Sequence, residues 1–169
     1  MKNIIFIGMP ASGKSTVGVV VAKRLGYEFI DTDLLIQKQE KRLLKEIIAD
    51  VGNEGFLEIE NQVNRDVNVE KSVISPAGSV VYCEEAMNHF KEIGTVVYLK
   101  ADYPTIKSRL GNLEKRGVAL KKGQTLKDLY DERTKLYEFY ADVIVDEKGL
   151  GTGETIDEVL RALNLSNEI

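Results

Sequence analysis

The chain has 169 residues, enough for one domain with a sizeable core. Hydrophobic residues make up 43% and charged residues 30%, the range of soluble globular proteins, while 23 Lys and Arg against 27 Asp and Glu leave a net charge of −4. That balance excludes a basic nucleic-acid binder, which must neutralise a run of phosphates, and the single cysteine, Cys83, excludes an internal disulfide and points to a reducing compartment.

The N-terminal apolar run has no small-residue cleavage site and passes straight into glycine-rich sequence, so it does not read as a signal peptide. The stretch from Val17 to Ala22 is too short to span a bilayer. A cytoplasmic monomer acting on a small molecule, with neither nucleic acid nor membrane as partner, is the expectation.

Asn3 to Ile7 reads as a short buried strand, followed by a glycine-rich loop to Gly13. Lys14 to Leu25 has helical spacing, with Gly26 as its stop. Tyr27 to Ile30 is a second strand, ending in Asp31-Thr32-Asp33. Residues 34–70 are mostly helical, broken at Gly52 and Gly55. Ser72 to Ser75 is a third strand, closed by Pro76-Ala77-Gly78, and Cys83 to Ile93 a helix. Thr95 to Leu99 is a fourth strand, and Tyr103 to Leu110 a helix with Pro104 in its first turn. Residues 111–124 carry three glycines and four basic residues with little periodicity, which reads as a mobile loop. Thr125 to Tyr140 is a helix, Val143 to Val145 a fifth strand and Thr155 to Leu163 the last helix. Short apolar strands alternating with helices predict an α/β fold of three layers: a five-stranded parallel sheet with helices on both faces, in one domain over residues 1–169.

Gly8-Met9-Pro10-Ala11-Ser12-Gly13-Lys14-Ser15 matches G-x-x-x-x-G-K-[ST], with a strand before it and a helix after. Its glycines let backbone N–H groups turn toward phosphate oxygens, and the helix N-terminus adds partial positive charge. Lys14 supplies a cation for the β- and γ-phosphates and Ser15 a hydroxyl for Mg²⁺, so ATP and Mg²⁺ are implied, with Ala11, Ser12 and Thr16 in the same cradle. Asp31 and Asp33 stand at the carboxyl end of the second strand, which faces the ligand crevice of an open parallel sheet. There Asp31 can orient the water shell of the metal and Asp33 can meet an acceptor hydroxyl; helix N-capping is the plain alternative for either. The late acids Asp146 and Glu147 read as the end of the final strand in an exposed turn, not as a metal site. His89 has no second ligand at metal spacing, and Cys83 reads as a packed thiol.

Taken together these residues resemble the shikimate kinase family. The resemblance rests on the phosphate loop with Val17-Gly18, on Phe29 to Asp33, on Gly52, Phe56 and Glu60, on Gly78-Ser79-Val80 and on Arg133 with Leu136-Tyr137. It implies an ATP-dependent kinase that phosphorylates one hydroxyl of a small anionic ring. Residues 34–70 become the substrate-binding helices and 111–124 a closing lid. Arg109 is placed near adenine, Arg116 over the transferring phosphate, and Gly78 and Arg133 against the substrate, with Arg133 on its carboxylate. The chain departs from the pattern at Leu57, where an arginine anchors the carboxylate, at Pro76-Ala77, where glycines stand, and at Asn53 and Gly117. Losing one charged hydrogen bond costs about 1.5–3 kcal/mol, roughly ten- to a hundredfold in affinity. Arg65 is not taken as a replacement for the lost arginine. A kinase for another small alcohol, a nucleoside monophosphate kinase and a nucleotide-binding protein without kinase activity are the competing readings.

Overall fold

The computed structural model describes residues 2–111 and 123–166. Five strands, β1 (Asn3–Ile7), β2 (Glu28–Asp31), β3 (Ser72–Ser75), β4 (Gly94–Lys100) and β5 (Val143–Asp146), form one sheet in the order β2-β3-β1-β4-β5. All four pairings are parallel. The central strand β1 is buried at every residue, as its unbroken apolar run requires.

Its alternating side chains divide the core into two layers. Ile4 and Phe6 pack with Val17 and Val21 of α1 (Lys14–Leu25) and with Ile156, Val159 and Leu160 of α7 (Thr152–Ala162). Ile5 and Ile7 share the opposite layer with Met87 and Phe90 of α4 (Glu84–Ile93), Ile106 of α5 (Tyr103–Leu110) and Tyr137 of α6 (Leu126–Tyr140). A third, separate cluster of Ile36, Ile47, Phe56 and Val63 ties α2 (Thr32–Glu40) to α3 (Leu44–Arg65). This pair of helices is a small lobe beyond the carboxyl end of β2.

The expected elements are present with shifted ends. Helix α2 begins at Thr32 because Asp31 caps it, and the chain breaks at 41–43 before α3, with Lys41 in the left-handed region. Within α3 only Gly52 breaks the helix, at φ 73° and ψ 179°. Gly55 stays helical, and a Cβ there would stand 2.7 Å from Val51 Cβ, so the close approach needs glycine at that position. Helix α7 starts at Thr152, earlier than expected, because Gly151 and Gly153 mask its first turn in the sequence. No helix among the described residues is long and apolar enough to cross a membrane.

Candidate active site

The carboxyl ends of β1, β2 and β3 meet the small lobe and α6 around a cavity of about 320 Å³. Lys14, Ser15, Asp31, Asp33, Gly78 and Arg133 all line it. They come from the start of α1, the β2–α2 junction, the turn after β3 and the middle of α6, segments far apart in sequence.

The phosphate loop is held in shape by its own lysine. The Lys14 ammonium donates to the Gly8 and Met9 carbonyls, both at 2.8 Å, closing the loop around the position a phosphate takes. Burial lowers this group to about 8, against the pull of Asp33. Ser15 Oγ lies 3.4 Å from Ser75 Oγ at the end of β3. Asp31 Oδ1 accepts from the Asp33 backbone N–H at 2.9 Å, so Asp31 caps α2 while still lining the cavity. Asp33 keeps Oδ1 buried without a hydrogen-bond partner. Burial pushes its carboxyl up to about 6, with Asp31 adding to the rise and Lys14 opposing it. A hydroxyl and two carboxylates form a hard-oxygen donor set suited to Mg²⁺, which keeps part of its water shell and binds phosphate oxygens. Among the described residues no group of three or more His, Cys, Asp or Glu is placed to hold a metal.

Across the cavity Arg133 is 4% exposed, its guanidinium 5.4 Å from the Tyr82 ring centroid. It does not pair with Glu132 or Glu138 on the surface of α6, and its Nε is buried without a partner. Burial works against its charge, but Tyr137 and Tyr82 more than offset that. Between Asp33 and Arg133 the wall is apolar, built from Leu44, Ile48, Phe56, Leu57 and Leu129. Leu57 therefore faces the cavity. Behind it Glu60 is fully buried and accepts from Ser79 Oγ at 2.8 and 3.0 Å. Desolvation raises Glu60 to about 8, so it is mostly protonated at neutral pH. Arg65 is tied to Glu85 and Asp66 on the outside of α3 and does not line the cavity.

A second cavity of about 410 Å³ lies on the outer side of the phosphate loop. Ala11, Ser12, Gly13 and Thr16 form one wall, and Arg109 and Glu147 stand opposite. Arg109 donates to the Ala11 carbonyl at 3.0 Å. Arg116 and most of the loop expected over 111–124 lie outside the described residues.

Sequence reasoning missed Tyr82, placed Ser79 in the substrate turn without a role, and read Glu147 as part of a solvated turn. Tyr82 sits on a 3-10 turn (Gly78–Tyr82) that carries no periodic signal, and Glu147 follows a strand whose end looked solvated. Cys83 is a packed thiol, pushed up to about 12 by burial. His89 contacts the Val67 carbonyl at 2.6 Å, as a tethered surface histidine.

A sequence profile described as "Shikimate kinase" matches residues 10–164. Shikimate kinase of Persephonella marina is 32% identical over 161 residues, covering 95% of this chain and 98% of that protein. The human protein "Threonine synthase-like 1" is 34% identical over 171 residues, covering 99% of this chain but 23% of that protein. Among solved structures, shikimate kinase from Acinetobacter baumannii in complex with shikimate superposes with a TM-score of 0.87 at 27% identity, covering 100% of this chain and 96% of that one. Shikimate kinase from Aquifex aeolicus gives 0.83 at 31% identity, with 96% of each chain covered.

Proposed function

The chain belongs to the shikimate kinase family, and from that premise we propose that it transfers the γ-phosphoryl group of ATP to a ring hydroxyl of shikimate, giving shikimate 3-phosphate and ADP. The observation that carries this reading is the meeting of Lys14, Ser15, Asp33 and Arg133 around one cavity. Phosphoryl transfer asks the protein for alignment and charge neutralisation more than for covalent chemistry.

Lys14 leaves the Gly8 and Met9 carbonyls for the β- and γ-phosphates, trading two neutral acceptors for charged ones. Ser15 and Asp31 would hold Mg²⁺, directly and through its water, and the ion would supply positive charge that neutralises the phosphates. Asp33 accepts a hydrogen bond from the attacking hydroxyl and takes its proton as the bond to phosphorus forms. Arg133 receives the acceptor carboxylate, satisfying the Nε that is otherwise unpartnered. Leu57 adds packing where the family places a guanidinium, so one arginine carries the anion. Arg109 lies on the side of the adenine, and Arg116 supplies positive charge to the transferring phosphate.

The net charge of −4, and an enclosed cavity with an apolar wall and a few charged groups at its ends, support a small-molecule partner rather than nucleic acid; a cytoplasmic location goes with the single cysteine.

The test is ADP release from Mg·ATP with shikimate, beside quinate, gluconate, homoserine, CMP and AMP. Saturable turnover with shikimate is expected. Turnover with another member of the panel alone would move the acceptor, and none with any would leave a nucleotide-binding protein.

A further inference from the structure

The second cavity contains a group that the proposed chemistry does not use. Glu147 follows β5, its N–H bonded to the Lys100 carbonyl at 2.9 Å and its carbonyl accepting from the Leu150 N–H at 2.9 Å, so its backbone is fixed. Its side chain reaches the phosphate loop. Oε1 lies 3.7 Å from where a Cβ on Gly13 would stand, and Oε2 is shielded from solvent with no hydrogen-bond partner.

The charged groups facing this carboxyl are Lys14 from α1, Arg109 from α5 and Asp146 beside it on β5. Neither cation is its ion-pair partner among the described residues. Lys14 is spent on the Gly8 and Met9 carbonyls, and Arg109 donates to the Ala11 carbonyl. A nucleotide bound at the loop brings several negative oxygens to the Gly13 backbone and draws Lys14 toward them. A carboxylate at that place is then repelled and further desolvated. A neutral carboxylic acid is a hydrogen-bond donor to the same oxygens.

We propose that Glu147 is a nucleotide-positioning residue that works as the neutral acid, donating a hydrogen bond from its buried oxygen to a phosphate oxygen of the bound nucleotide, so that binding takes up one proton from solvent. This inference rests on the phosphate-loop reading. Its geometry also explains why the carboxyl sits without a partner in the free protein. In keeping with it, burial raises this carboxyl to about 7, opposed by Arg109 and Lys14, so both protonation states are populated near neutral pH.

The experiment is isothermal titration of ADP with magnesium into the full chain, into Glu147→Gln and into Glu147→Ala, from pH 6 to pH 8 in pairs of buffers with different ionisation enthalpies. Protonation of ADP itself is common to all three proteins and cancels between them. Relative to Glu147→Gln, wild-type affinity should fall about tenfold across this range, and at pH 7.5 the wild type should take up roughly half a proton more or better. Glu147→Gln, which keeps an N–H donor, should bind more tightly than Glu147→Ala throughout. The same pH slope and proton uptake in wild type and Glu147→Gln would overturn the proposal while leaving the phosphate loop in place. No ADP binding at any pH would overturn the phosphate-loop reading and this proposal with it.

Discussion

The Tyr137 hydroxyl donates to the Gly78 carbonyl at 2.7 Å, in a pocket where Tyr137 is fully buried. This bond joins α6, which carries Arg133 one turn earlier, to the turn after β3 that forms the opposite edge of the acceptor cavity. Tyr98 packs on the same ring at a centroid distance of 5.1 Å, so the ring itself is held by packing. Tyr137→Phe keeps that packing and removes only the hydroxyl, leaving the Gly78 carbonyl buried without this donor. A stability loss of about 1–2 kcal/mol is expected in denaturant unfolding. Because the bond sets the spacing between Gly78 and Arg133, KM for the acceptor should rise by more than KM for ATP.

Leu57 and Glu60 stand three residues apart in α3, one facing the cavity and the other fully buried behind it beside Ser79. Leu57→Arg places a guanidinium beside both Glu60 and the acceptor carboxylate. A charged partner should pull Glu60 down from about 8 and ionise it at neutral pH. With a second cation on the anion, KM for shikimate is expected to fall about ten- to a hundredfold in steady-state kinetics, with KM for ATP unchanged. An unchanged KM would mean the acceptor carboxylate binds away from this helix.

Much of the architecture is legible from one sequence because the inner strands β1, β3 and β4 are buried along nearly their whole length and so carry apolar residues between turn signals, while the edge strands β2 and β5 are short and bounded by turn residues. The phosphate loop is legible because its chemistry is local: a backbone cradle, a lysine and a hydroxyl within eight consecutive residues. Arg133 is different. In the sequence it is one of several charges on a helix, and its burial follows from Tyr82 and Tyr137, which reach it from a 3-10 turn and from its own helix. Glu147 looked solvated because two acids and a lysine stand in a row there, but the end of β5 lies against the phosphate loop. The kink at Gly52 rather than Gly55 was equally hidden, since two glycines three residues apart give the same local signal and only the fold shows which one takes a positive φ.

Asp33 couples activity to stability in opposite senses. Its carboxyl is raised to about 6 by burial, next by Asp31, against an ordinary value of 3.8. The proton-accepting form is lost as pH falls through 6, so kcat/KM should decline below that pH with a slope approaching one. For stability the sign is reversed. A raised folded value favours the protonated group, so its contribution is full below 3.8 and lost as pH rises through 6. Asp33→Asn should therefore lose most turnover yet melt at a higher temperature than wild type at pH 7.5, where the carboxylate costs roughly 2–3 kcal/mol.

Lys14→Met separates phosphate binding from folding. Among the described residues the ammonium donates to the Gly8 and Met9 carbonyls, and burial depresses it to about 8, so the cost of burying the charge offsets much of what those two bonds contribute to the fold. Turnover should fall by at least about a hundredfold, the cost of removing one transition-state donor. The circular dichroism spectrum and melting temperature should stay close to wild type. Retained turnover would show that another group carries the phosphate charge.

Gly52 has φ 73° and ψ 179°, a conformation that residues with a Cβ adopt only under strain, yet nothing lies within 4 Å of the place a Cβ would occupy. The cost of Gly52→Ala is thus torsional rather than steric, about 1–3 kcal/mol if the kink is kept. The chain can avoid that cost by straightening α3. Doing so would swing Leu44 and Ile48, which line the cavity before the kink, away from Phe56 and Leu57, which line it after. Both routes have a signature. A retained kink lowers stability with acceptor KM unchanged, whereas a straightened helix keeps more stability and raises acceptor KM. The first outcome is expected, because Ile47 before the kink and Phe56 and Val63 after it share one buried cluster with Ile36, which holds the two halves of the helix in place. Unfolding by urea and acceptor KM measured on the same preparation distinguish them.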